Sequence, residues 1–245
     1  EDCAGICNGD GILDECGVCN GDNSCQHSGN ISGVWTKEES PYFITGNLVL
    51  LPSDSLVVEP GTEILFTGPY KFDVFGYLHA VGTENDSIRF SLQNTEDLGN
   101  RWLSINFAND SDDNSSIKYS YLEYGSQSGY EPYYGMINCN QSSPEISHNT
   151  IVNGSSDGIH LYYSNSIISN NIIENMSEDA VDVGNYSQPD ISYNTMLNCS
   201  RGVYIPNKAD ITLSGNVIDN MNTYGIHLDN INGEDTSVLN IIDNT

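Results

Sequence analysis

Two histidines, three aspartates and one arginine recur in step along the second half of the chain. Asp157, Asp179 and Arg201, followed by Tyr224, each stand two residues before an apolar-x-apolar triplet, and the triplets carry His160, Asp182, Tyr204 and His227 at their centres. Carboxylates beside imidazoles can move protons at a reacting atom. Two carboxylates flanking a sugar bond can hydrolyse it. A single strip bearing Asp157, His160, Asp179, Asp182, Arg201 and His227 is therefore compatible with glycosidase or lyase chemistry, and these six are the candidate catalytic residues.

Such a strip exists only if the chain stacks these segments in register, and the sequence supplies the means. The triplets Ile159-His160-Leu161, Val181-Asp182-Val183, Val203-Tyr204-Ile205 and Ile226-His227-Leu228 follow an earlier copy, Ile137-Asn138-Cys139. A second series runs beside them: Ile146-Ser147-His148-Asn149, Ile168-Ser169-Asn170-Asn171, Ile191-Ser192-Tyr193-Asn194, Leu213-Ser214-Gly215-Asn216 and Ile241-Ile242-Asp243-Asn244. Its Asn residues are spaced 22, 23, 22 and 28 apart, the last gap absorbing an insertion. Short apolar alternations at a period of about 22, broken by Asn, Gly and Ser, mark a solenoid of short strands; helices need longer periodic runs.

In such a solenoid Ile159, Val181, Val203 and Ile226 point inward, one above another at about 4.8 Å. Asn149, Asn171, Asn194 and Asn216, with the companion set Asn153, Asn175, Asn198 and Asn220, form amide ladders at corners where Asn tolerates the left-handed backbone. Cys139 aligns with Leu161 and Val183, which predicts a buried thiol. Cys199 lies about three coils away, about 14 Å by the strand spacing, too far for a disulfide.

Residues 141–245 resemble the right-handed parallel β-helix proteins with pectate-lyase-like repeats. Val57-Val58-Glu59-Pro60-Gly61-Thr62 and Val81-Gly82-Thr83 look like the opening coils of surface proteins of this kind, so the expected fold is all-β, a right-handed parallel β-helix of about 22 residues per coil over residues 30–245. The resemblance implies polysaccharide degradation on the strip as one reading. Against it, the strip lacks the adjacent-Asp and His-Gly motifs of the polygalacturonase-like family. Lyases of this fold depend on basic residues, and the chain after Ser126 has only Arg201 and Lys208. Tyr162, Tyr163, Tyr186, Tyr204 and Tyr224 could instead present a sugar-binding surface.

The first 29 residues form a separate module. Asp2-Cys3-Ala4-Gly5-Ile6-Cys7-Asn8-Gly9-Asp10 is echoed by Glu15-Cys16-Gly17-Val18-Cys19-Asn20-Gly21-Asp22, and Cys25 follows. A piece this short cannot bury a core and needs disulfides, drawn from Cys3, Cys7, Cys16, Cys19 and Cys25. It resembles the CGVCxGD-type cysteine-rich repeats of secreted proteins and thrombospondin type 3-like segments. Asp10, Asp14 and Asp22 are the candidate ligands for calcium, against a background of ordinary Asn-Gly-Asp turns.

Composition narrows the setting. With 34 acidic and 7 basic residues the formal net charge is -27, which repels phosphates and anionic membranes and excludes nucleic acid as a partner. No apolar run of 18 residues offers a membrane span. The clustered cysteines point to an oxidising, extracellular or cell-surface location, and Asn-x-Ser/Thr sequons such as Asn30, Asn85 and Asn140 are possible glycosylation sites. The leading expectation is a non-enzymatic structural or adhesive surface solenoid, a stalk or filament subunit. Its expected partners are copies of itself end to end, an adjoining surface domain, and carbohydrate. The second reading is a polysaccharide-degrading enzyme or carbohydrate-binding module.

Overall fold

The computed structural model describes residues 3, 5, 9–12, 19, 20, 25–109, 111–125, 134–184, 186–206, 209–229 and 239–245. Among them every strand pairing is parallel, and each coil crosses three faces in turn. One coil shows the pattern: Glu145–Ser147 on the third face, Thr150–Val152 on the first and Asp157–Tyr162 on the second. The next coil repeats it with Ile167–Ser169, Ile172–Glu174 and Asp179–Val183. The third face is a sheet of 9 strands, and the first and second are joined near the amino-terminal end by one long strand, Tyr42–Leu50, which runs through the corner between them. Parallel pairing begins at Gln26–Asn30, against Tyr42–Leu50.

Alternation explains why these segments are strands. In most of them the inward residue is Ile, Val, Leu or Phe, with Met196 and Trp35 among the exceptions, and equivalent positions stack directly. On the second face Ile137, Ile159, Val181, Val203 and Ile226 are consecutive in register, fully buried except the partly covered Ile226. On the third face Ile117, Ile146, Ile168, Ile191 and Leu213 form a second column with no exposure. Each such side chain contributes about 1.5–3 kcal/mol by leaving water. Cys139 is a buried thiol as expected, and Cys199 is also free and buried; burial raises them to about 12 and about 11, so neither is a nucleophile at neutral pH.

The corners divide the work of the two Asn series. Asn149, Asn171, Asn194 and Asn216 are buried and bridge successive coils: Asn171 Nδ2 donates to Asn194 Oδ1 at 2.9 Å and Asn194 Nδ2 to Asn216 Oδ1 at 3.0 Å. The expectation that they occupy left-handed backbone is corrected here. The left-handed residue at this corner is the one before, His148, Asn170, Tyr193, Gly215 or Asp243, because the chain must turn first for the following amide to point inward. Asn153, Asn175, Asn198 and Asn220 do sit at left-handed φ, between the first and second faces, and their ladder is on the surface. The third corner uses buried serines, with Ser164 N donating to Ser187 Oγ at 3.1 Å and Ser111 Oγ 2.6 Å from Ser142 Oγ.

In the amino-terminal segment Cys3 and Cys19 form a disulfide, and Cys25 is also disulfide-bonded. Asp10 is exposed. Cys7, Cys16, Asp14 and Asp22 lie outside the described residues. Among the described residues no helix is long and apolar enough to cross a membrane.

Candidate functional site

The candidate residues share one strip, the outer side of the second face. Parallel register places Asp73, Asn106, Asn138, His160, Asp182, Tyr204 and His227 in a single column. Asp73 and Asn106 were not legible from the repeat, since residues 93–104 expand their coil and break the period of about 22. Their neighbours fix them: Lys71 Nζ lies 2.7 Å from an Asp73 oxygen, and Asn106 Nδ2 donates to Asp73 Oδ1 at 3.0 Å.

At the centre, three groups converge. His160 Nδ1 is 3.1 Å from Asp182 Oδ2 and 3.9 Å from Asp157 Oδ2. One ligand atom from each of the three lies within 4.8 Å of the others. A nitrogen and two carboxylates form a donor set that suits a divalent first-row metal. Asp157 is on the strip but its side chain is only 3 % exposed, and its Oδ1 accepts from the Asp179 backbone N–H at 2.8 Å. Burial first, then the nearby Asp182 and Asp179, push the Asp157 carboxyl well above the ordinary aspartate value.

One coil further on, Asp179 is clamped. Arg201 Nε donates to its Oδ1 at 2.5 Å and Arg201 Nη2 to its Oδ2 at 2.8 Å. The guanidinium also lies 3.7 Å above the Tyr204 ring. Burial lifts Asp179 to about 6 against the pull of Arg201. Burial opposes the Arg201 charge too, but the hydrogen bond to Asp179 overcomes it and the net shift is upward. Both partners are therefore ionised at neutral pH, and the pair is internally neutralised. His227 closes the strip in a ring stack between Tyr204, 5.2 Å away, and Tyr224, 4.5 Å away.

Beside His160 the strip opens into a pocket of about 310 Å³. Its walls are Tyr134 and Tyr162, with the amides of Asn106, Asn138 and Asn140 and the His160 ring between them. Tyr134 and His160 are in tilted ring contact at 5.3 Å. Among the described residues no carboxylate, lysine or arginine lines it. The six sequence candidates thus fall into two groups: Asp157, His160 and Asp182 meet, and Asp179 pairs with Arg201, whose Nη1 also lies 3.5 Å from Nδ1 of His227. The pocket residues Tyr134, at the loop end before strand Gly135–Asn140, and Asn140, at that strand's last position, escaped sequence reading because nothing in their residue type marks which Tyr or Asn will face a cavity.

Among known proteins, the family described as right handed beta helix region matches residues 85–245. No curated protein and no solved structure matches the chain.

Proposed function

Because the chain belongs to the right-handed β-helix family, we propose that it is an extracellular adhesive element which holds carbohydrate on its second face without cleaving it. The observation that carries this reading is the chemistry of the pocket beside His160: aromatic rings, three amides and an imidazole, with no carboxylate among the described lining residues. Rings and amides suit sugar faces and hydroxyls. Hydrolysis needs two carboxylates flanking the bond, whereas Asp157 and Asp179 are buried behind their partners at 3 % and 2 % side-chain exposure. Lyase chemistry needs a free cation at the developing enolate, whereas Arg201 is committed to Asp179.

The Cys3–Cys19 disulfide supports an oxidising, extracellular setting. Half-exposed Ile241 and Ile242 on the last described strand support association with an adjoining domain or a further copy. Calcium at the amino-terminal segment belongs to the same proposal, on the strength of its aspartates alone. A glycan array probed with the whole chain and with Tyr134→Ala tests the reading. Retention of a glycan by the native chain and its loss from the variant is the expected result; equal signals from both would remove the pocket from the account.

A further inference from the structure

A second cavity, of about 420 Å³, lies on another side of the rod, where the third face turns into the first. One wall is the corner itself. In the coils that follow, this corner position is held by Asn170, Tyr193, Gly215 and Asp243, all at left-handed φ. Two adjacent coils that line the cavity both place aromatic rings there: Tyr119 at φ 48° and His148 at φ 59°. Their rings stack at 4.6 Å with an angle of 21° between planes. Bulky residues at positive φ are uncommon; among the described residues of this corner only the cavity coils carry two of them on adjacent coils, Tyr193 standing between Asn170 and Gly215. The opposite wall is the outward column of the first face, where Tyr121, Thr150 and Ile172 are consecutive in register.

From the Glu84 level to the Asn170 level the groove crosses four successive coils. Three steps of about 4.8 Å give a length of about 14 Å along the rod axis. It runs across the strands rather than along them, so an added β-strand cannot pair in it. Glu84 is the single charged side chain among the lining residues, and no lysine or arginine joins it. Together with the net charge of -27 this disfavours acidic ligands. The remaining described groups are rings, hydroxyls, the amides of Asn149 and Asn170 and the Ile172 side chain, presented at an interval close to the repeat of a chain of β-linked hexoses.

We propose that this corner groove is a binding site for a neutral linear oligosaccharide, lying along the rod with about one sugar per coil. It is separate from the pocket beside His160 and does not depend on it. Titration calorimetry of the whole chain with cellohexaose and xylohexaose tests it, with a proline-rich peptide of similar length as the competing occupant. The double variant Tyr119→Asn/His148→Asn removes both rings with a residue the left-handed corner accepts, so its melting temperature should equal or exceed that of the native chain. The expected result is binding of a hexasaccharide that weakens at least tenfold in the double variant and is retained in Tyr134→Ala. No hexasaccharide binding by the native chain, equal affinity in the double variant, or preference for the peptide would each overturn the proposal. Loss in Tyr134→Ala alone would assign binding to the second face and also overturn it.

Discussion

Arg201 and Asp179, neighbours in register on successive coils, are joined by two hydrogen bonds of 2.5 and 2.8 Å, and the aspartate beneath is almost completely covered. This pair joins two coils and removes a cation and a carboxylate from the only strip where the sequence could have carried catalysis. Cutting one partner leaves the other charge buried alone. Arg201→Met should therefore destabilise the chain by about 3–5 kcal/mol, and the double variant Arg201→Met/Asp179→Leu should recover most of that loss. Chemical denaturation of the three proteins measures it; a single variant as stable as the native chain would show that the pair carries no structural load.

The buried amide ladder should be far less tolerant than the surface one. Asn194 donates from Nδ2 to the Ile168 carbonyl and to Asn216 Oδ1, and its own Oδ1 accepts from Asn171. Asn194→Leu leaves these groups unpaired in the interior, at about 1–3 kcal/mol each. The exposed Asn175 side chain at the other corner donates one bond, 3.3 Å long, to Asn153 Oδ1, while its backbone N–H bonds the Leu197 carbonyl. Asn175→Gly keeps the left-handed backbone and should cost less than about 1 kcal/mol. Thermal unfolding distinguishes the two; equal losses would contradict the division of labour between corners.

Acid should stabilise this protein before it unfolds it. Asp157 and Asp179 have folded-state values above the ordinary aspartate value, Asp179 at about 6. In the unfolded chain both return to about 3.9. Between these values the folded state holds more protons than the unfolded state, so stability falls as pH rises through the window. For Asp179 the difference corresponds to about 3 kcal/mol. Glu145, held down by its hydrogen bond to Lys118, works in the opposite sense but is too exposed to dominate. The melting temperature should be higher at pH 5 than at pH 7.5 in high salt, and Asp157→Asn should shrink the difference by raising the value at pH 7.5. A melting temperature that climbs with pH across this range would contradict the burial argument.

How much of this was legible in the sequence follows from what repeats. Ile159, Val181 and Val203 announced the second face because strand alternation and coil spacing act on every copy alike, and Asn149 to Asn216 announced a ladder for the same reason. Asp73 and Asn106 belong to the same column as His160, yet the expanded segment at residues 93–104 hid their register. The left-handed residue was misplaced by one position, since intrinsic tolerance favours Asn at such a turn while geometry reserves that Asn for the inward hydrogen bond. Asp157 and Asp179 were expected among the outward residues of the strip, and the structure buries both, because whether a carboxylate there meets solvent depends on what His160 and Arg201 do beside it. The two cavities could not be read at all, because each is assembled from residues of four or more separate strands and loops.

The central claim is that the second face holds a glycan and leaves it intact. Incubation of the whole chain with a panel of neutral and acidic polysaccharides, with reducing ends and unsaturated products quantified on the same samples that are scored for binding, tests it most directly. The account predicts a bound polysaccharide and no product above the level given by a His160→Ala/Asp182→Asn control. Product formed by the native chain and abolished in that control would contradict it and make the strip an active site.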